Sequence, residues 1–355
     1  MKNRLRWSCK KLIPVYNKFF KKKISRIDNT ICYGSITYII YGGIGDAILA
    51  YPAIRFLQKT YPASQLKIIV PTSLNPLLSA VFCEYTVSPM SSLFVLPIKG
   101  AFLRRGSTLS VTNATAVFSV AAELLGFFSG NHCCGFRYPD EHPSQRLFTE
   151  SKVIDDNTHF AEQNIQLISE SLHIPYNAGD IFLPSRTGRG NDPLKGHILI
   201  HPGSKKGYEN KRWPEKNFNE IIKRLTEKGH RITILLGPDD DSLNTHFSDN
   251  DNTAICINPA IPDLIHLYHD ARFFIGNDSG PAHLAAFYGI PGITLFGPEG
   301  PHRSAPCGKT SITIYNSIDC SPCHFSQNAC YDNRCMKSIT PDQVWKEVKK
   351  HLPHG

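Results

Sequence analysis

The stretch Gly276-Asn277-Asp278-Ser279-Gly280-Pro281-Ala282-His283 joins an apolar run, Phe273-Phe274-Ile275, to a helix-like run, Leu284-Ala285-Ala286-Phe287-Tyr288. A strand that turns at once into a helix through small and acidic residues leaves backbone N–H groups pointing out of the helix N-terminus, and such an end suits a phosphate. The plainer reading is a capped turn with Asp278 or Ser279 as N-cap. His283 follows Ser279 by one helical turn and shares its face, which favours a ligand.

The same succession recurs along the chain. Apolar runs predict strands at 36–41, 66–70, 93–96 and 116–120 in the first half, with helices at 46–59, 121–127 and 160–172. The second half repeats it with strands at 197–201, 231–236, 272–275 and 293–296. Helices are expected at 215–228, where Gly229 ends the turn, at 279–288, and at 340–352 after Thr340-Pro341 as N-cap and first residue. Alternating strands and helices with short loops imply parallel, doubly wound sheets. At 355 residues the chain exceeds what one core usually supports, so two domains are expected, with residues 175–196 as the hinge. Ligands of such sheets sit at the carboxyl ends of the strands, where the loops 201–205, 237–240 and 276–280 converge on one candidate pocket.

Charge separates the chain into a tail and a body. Of the net charge of +9, residues 1–27 carry +10, with no acidic residue, and the remainder sums to −1. The body therefore makes no case for nucleic acid. Val15, Tyr16, Phe19, Phe20 and Ile24 recur at helical spacing among lysines, a pattern that fits an anionic membrane surface; a solvated tail is the bland alternative. No apolar run is long enough to span a bilayer, and no signal-peptide pattern opens the chain, so a cytoplasmic location is expected, peripheral on the inner face of the membrane through residues 1–27.

Eleven cysteines in such a compartment would be reduced thiols. Four of them, Cys320, Cys323, Cys330 and Cys335, crowd into sixteen residues. That spacing leaves open a structural zinc or iron site, two disulfides, or reduced thiols in a surface loop, and four cysteines would leave no open coordination position for catalysis.

Gly42-Gly43-Ile44-Gly45-Asp46 follows the first strand and opens the first helix, but Ile48 stands where a dinucleotide fingerprint has its third glycine. The glycines let another molecule approach the backbone. Asp46, in the first turn, is a candidate base whose charged form the helix field favours; a simple cap is the commoner role. Lys205, Lys206, Lys211 and Arg212 surround the loop ahead of Trp213-Pro214 and could neutralise a diphosphate, or form a solvated loop.

Taken together, Gly43-Ile44-Gly45-Asp46 with Tyr51-Pro52-Ala53, His201-Pro202-Gly203-Ser204, Lys211-Arg212-Trp213-Pro214 and Asn277 to His283 followed by Phe296-Gly297-Pro298 resemble glycosyltransferase family 9, the lipopolysaccharide heptosyltransferases and their relatives. Four motifs in order, over residues 36–350, carry that likeness; the extension ahead of the first strand departs from it. The resemblance implies an α/β GT-B fold, two Rossmann-like doubly wound domains facing across a cleft. Residues 1–34 would be an extension, 35–180 the acceptor domain, 181–335 the nucleotide-sugar domain and 336–355 a closing helix. It further implies inversion at the anomeric carbon with no cofactor required, Asp46 as base, and Gly43, Gly45, Ser204, Lys211, Asp239, Asp278, Ser279, Gly280 and His283 as substrate contacts, with Asp239 or its neighbour Asp240 at the ribose. Expected partners are a nucleotide sugar, ADP-heptose favoured, and a glycolipid acceptor. The competing reading is a non-catalytic sugar-nucleotide or polyanion-binding protein on the same scaffold.

Overall fold

The computed structural model describes residues 33–90, 108–113, 119–138, 148–183, 196–323, 330 and 332–352. The expected strand at 93–96, most of that at 116–120, much of the hinge and the basic extension lie outside these residues. Contacts divide the chain into two compact units, one of 1–42, 50–156 and 160–180, the other of 43–49, 157–159 and 181–355.

The first unit is built on a parallel sheet of β1 (Ser35–Ile39), β2 (Gln65–Val70), β3 (Thr86–Pro89), β4 (Thr108–Thr112), β5 (His132–Arg137) and β6 (Glu150–Val153). Their order is β3-β2-β1-β4-β5-β6, so chain direction across the sheet reverses between β1 and β4. Helices α1 (Ile44–Thr60, whose first residues 44–49 group with the second unit), α2 (Asn75–Val81), α3 (Val120–Ser129) and α4 (Phe160–Leu172) supply the connections. β1 is buried over Ile36–Ile39, with Thr37 the one polar side chain among them, because a doubly wound sheet is covered on both faces.

β4 differs from the expectation. Its sequence, Thr-Leu-Ser-Val-Thr, is buried throughout, and Ser110 Oγ donates to the Gly126 carbonyl at 2.6 Å. A hydroxyl satisfied by backbone lets a central strand look polar in sequence. Of the strand expected at 116–120 only the last two residues are described, and these are not strand: Ser119 accepts from Ala122 N at 3.3 Å as N-cap, and Val120 already begins α3.

The second unit repeats the plan with β7 (His197–His201), β8 (Ile232–Leu236), β9 (Thr253–Ile257), β10 (Ala271–Asn277), β11 (Gly292–Phe296) and β12 (Ser311–Tyr315), ordered β12-β11-β10-β7-β8-β9. Its reversal falls between β7 and β10. The helices are α5 (Glu215–Thr226), α6 (Ile261–Asp270), α7 (Gly280–Phe287), α8 (Pro301–Ser304), α9 (Arg334–Lys337) and α10 (Pro341–His351). One core joins Ile198, Ile200, Phe218, Ile221, Phe273 and Ile275 to Val344, Val348 and Leu352 from the end of the chain. α10 starts with a full capping box, Thr340 Oγ1 accepting from Gln343 N and Gln343 Oε1 accepting from Thr340 N. Among the described residues no helix is long and apolar enough to cross a membrane.

Candidate active site

Three loops of the second unit meet at the reversal between β7 and β10, and Asn277 is their joint. Fully buried, its Oδ1 accepts from Trp213 N at 3.0 Å, while its Nδ2 donates to the carbonyls of Pro202 at 2.7 Å and Gly203 at 3.2 Å. Trp213, also fully buried, donates from Nε1 to the Ile339 carbonyl at 2.9 Å. Losing one buried partner typically costs 1–3 kcal/mol, so Asn277→Leu should lower unfolding free energy by about 3 kcal/mol and weaken nucleotide binding. Urea denaturation and calorimetry check both.

Beside this joint, Lys211 Nζ donates to Asp278 Oδ2 at 2.7 Å, with both side chains largely buried. Burial pulls the Lys211 ammonium down, but Asp278, followed by Glu299, outweighs it and holds the group above its ordinary value. Ser279 precedes α7 in extended conformation without capping it; its hydroxyl donates to the Asn277 carbonyl at 3.1 Å. The capping alternative therefore fails for the Ser279 side chain, and no side chain caps the helix end that Gly280 and Pro281 open.

Asp46 belongs, with the rest of 43–49, to this second unit. Its carboxylate accepts from Gly43 N at 2.7 Å. Burial nonetheless pushes its pKa up to about 6, against the lowering effects of that N–H, Lys205 and Lys211. Desolvation thus wins over the helix field emphasised in the sequence reading, and the result is a carboxylate that is ionised yet basic near neutrality.

His283 completes the cluster. It is buried, its Nδ1 has no partner among the described residues, and burial drops its pKa to about 4 despite the opposing field of Asp278; His159 and Lys211 lower it further. The ring is neutral at pH 7, with one nitrogen to donate and one to accept. A Cβ on Gly45 would sit 2.9 Å from His283 Cδ2, and one on Gly280 would sit 2.9 Å from Ile44 Cβ. Glycine is thus required at both positions for close approach. Gly45→Ala should displace the His283 ring and Asp46 together and reduce turnover at least tenfold, with the melting temperature as the control for folding.

Other expected contacts are placed differently. Arg212, grouped by sequence with the diphosphate lysines, is spent inside the protein: it pairs with Asp240 at 3.0 Å and donates from Nε to Ser204 Oγ at 3.0 Å. Asp240 also accepts from Ser204 N at 3.2 Å and Gly237 N at 2.9 Å, so its carboxylate holds two loops and is not open for a ribose. Exposed Asp239 remains the carboxylate available there. Ser204 is buried in this network, and a Cβ added to Gly43 would lie 3.7 Å from Asp46 Oδ2. Sequence reasoning missed Asn277 and Arg212–Asp240 as scaffolding; an Asn at a strand end and an adjacent Lys-Arg pair give no sign of which polar group turns inward.

The nine described cysteines are free thiols, so the disulfide reading does not hold among them. Burial pushes the Cys335 thiol up to about 11, and the neighbouring Cys323, Cys330 and Cys320 add to this. Among the described residues no group of three or more metal-ligating side chains is placed to hold an ion.

Residues 108–332 match glycosyltransferase family 9 (heptosyltransferase). The chain belongs to that family. Over 323 residues it is 24% identical to lipooligosaccharide heptosyltransferase 2 of Campylobacter jejuni, covering 86% of this chain and 96% of that one. Its fold is similar to that of an E. coli ADP-heptose lipopolysaccharide heptosyltransferase II, with a TM-score of 0.69, 20% identity and coverage of 90% and 98%. It is also similar to an iron-containing dodecameric glycosyltransferase, TibC, of enterotoxigenic E. coli, with a TM-score of 0.57, 16% identity and coverage of 90% and 78%. This family 9 chain is a glycosyltransferase with the two-domain α/β GT-B architecture.

Proposed function

We propose that this enzyme transfers heptose from ADP-heptose to a hydroxyl of a lipopolysaccharide core or related envelope glycan, with inversion at the anomeric carbon. The observation that carries the reading is one cluster containing a carboxylate of raised pKa, Asp46, and a buried ammonium–carboxylate pair, Lys211–Asp278, at an uncapped helix end. Asp46 takes the proton of the acceptor hydroxyl as its oxygen bonds to the anomeric carbon, and the bond from that carbon to the diphosphate breaks with its electron pair leaving on the phosphate oxygen. Lys211 and the amides at Ser279–Gly280 stabilise the charge growing on the diphosphate. Neutral His283 can hydrogen-bond the donor without adding charge. Asp239 is assigned to the ribose. The names of the relatives support ADP-heptose as donor.

No metal is given a part in the transfer, because the ammonium and helix end supply the charge stabilisation that an ion would. Chelator-treated enzyme should accordingly keep its activity. The basic segment 1–27 is assigned to the anionic inner-membrane surface, near a lipid-linked acceptor.

The test is mass spectrometry of products from a nucleotide-sugar panel with a lipopolysaccharide-core acceptor. Transfer from ADP-heptose, more than tenfold faster than from other donors, is expected. Binding of ADP-heptose with no transfer to any core acceptor would instead support the non-catalytic alternative.

A further inference from the structure

In the loop between β7 and α5, Tyr208 stands at the joint of two consecutive turns. Its N–H donates to the Lys205 carbonyl at 3.0 Å, closing the first, and its own carbonyl accepts from Lys211 N at 3.0 Å, closing the second. Each turn folds a lysine back toward one half-buried ring. Lys205 Nζ lies 5.9 Å and Lys211 Nζ 5.6 Å from the centre of the Tyr208 ring, both within the distance at which an aromatic face attracts a cation. All of these residues belong to the unit that also holds Asp46.

This arrangement sorts the basic residues that the sequence groups around the loop. Arg212 is committed to Asp240 and Ser204. Lys206 is exposed and lies over no aromatic ring among the described residues. Lys205 and Lys211 remain. Two ammoniums drawn to one ring repel each other, and the electron-rich face offsets part of that repulsion. Both of their fields reach Asp46 and lower its carboxyl pKa, so the pair is turned toward the reacting groups. Lys211 already shares its charge with Asp278 at 2.7 Å, and a departing diphosphate carries more negative charge than one such ammonium offsets. We infer that Tyr208 is a positioning residue that holds Lys205 beside Lys211 as a second ammonium for the leaving diphosphate. The inference deepens the proposed function and rests on it, since a nucleoside diphosphate leaving group is what calls for the second cation.

Calorimetry of the full chain with ADP and with adenosine separates the diphosphate's share of binding from that of the nucleoside. Tyr208→Leu removes the ring and should weaken ADP about fivefold, the scale of one cation–π contact at a partly exposed site, with adenosine binding unchanged. Tyr208→Phe keeps the aromatic face and should hold ADP affinity within about twofold of wild type. Lys205→Ala should give a loss similar to that of Tyr208→Leu, and adding it to Tyr208→Leu should cost little more, because the ring acts through that ammonium. Lys206→Ala removes the same charge one residue along and should change ADP affinity by less than about twofold, as befits an exposed and screened charge. Should Tyr208→Leu lose its melting transition, Lys205→Ala set against Lys206→Ala decides. Equal losses in Tyr208→Leu and Tyr208→Phe, equal losses in the two lysine variants, or a fall in adenosine affinity that matches the fall for ADP overturns the inference. An ADP preference that survives Tyr208→Leu and Lys205→Ala sinks it alone, whereas a wild type that binds ADP no more tightly than adenosine would overturn the diphosphate site of the proposed function and this inference with it.

Discussion

Asp46→Asn should reduce turnover by about 10³-fold, within the range of 10²–10⁴ that a positioned general base contributes, while calorimetry of ADP binding shows little change. Asparagine keeps the shape and can still accept from Gly43 N, so loss of rate alone isolates proton transfer. The same variant carries a stability signature of predictable sign. The folded carboxyl has its pKa raised from 3.8 to about 6, chiefly by burial, so the folded state holds the proton more tightly than the unfolded one. Wild-type stability linked to this group is therefore fully present below about pH 4 and is lost as pH rises through about 6, by about 3 kcal/mol at most. Asp46→Asn escapes that loss. Its melting temperature should match wild type at low pH and exceed it at pH 8, the reverse of a simple packing defect.

Lys211→Ala is expected to act on both binding and chemistry. Removing the ammonium takes away a donor aimed at the leaving group and leaves Asp278, only 8% exposed, with its 2.7 Å partner gone. Transition-state stabilisation by one such group is worth about 10²–10³ in rate, so kcat/KM should fall by at least that factor and ADP affinity at least tenfold. Breaking a largely buried pair by deleting one side costs about 3–5 kcal/mol. The double variant Lys211→Ala with Asp278→Asn should recover much of the stability and none of the activity. Denaturant titration with steady-state kinetics separates the two. Full recovery of activity in the double variant would show the pair to be scaffolding alone.

Much of this site is written in local spacing. The turn Gly276 to His283, the Gly43–Asp46 turn and Lys211 before Trp213 each sit where a strand ends and a helix begins, and periodicity places such junctions well. The doubly wound sheets were legible for the same reason, since buried parallel strands read as apolar runs. β4 escaped because Ser110 and Thr112 hide their hydroxyls in backbone bonds, which depends on neighbours far along the chain. The roles of Arg212 and Asp240 were hidden for a related reason: both are charged residues in polar loops, and only packing brings Ser204 within 3.2 Å of one and 3.0 Å of the other. The raised pKa of Asp46 was equally out of reach. A helix N-terminus lowers a carboxylate pKa in sequence terms, and only the folded surroundings disclose the burial that reverses it. Four cysteines in sixteen residues read as a ligand set by spacing alone, but spacing did not show that Cys335 is buried, Cys323 and Cys330 half-buried and Cys320 exposed.

One measurement bears most directly on the claim that Asp46 activates the acceptor: single-turnover transfer from ADP-heptose followed from pH 5 to pH 9. The carboxylate of pKa about 6 must be ionised to accept a proton, so the wild-type rate should climb tenfold per pH unit below about 6 and level off above it. In Asp46→Asn that limb should vanish, leaving a low and flat profile. A wild-type rate that is level across pH 5–7, or a variant that retains the rising limb, would contradict it.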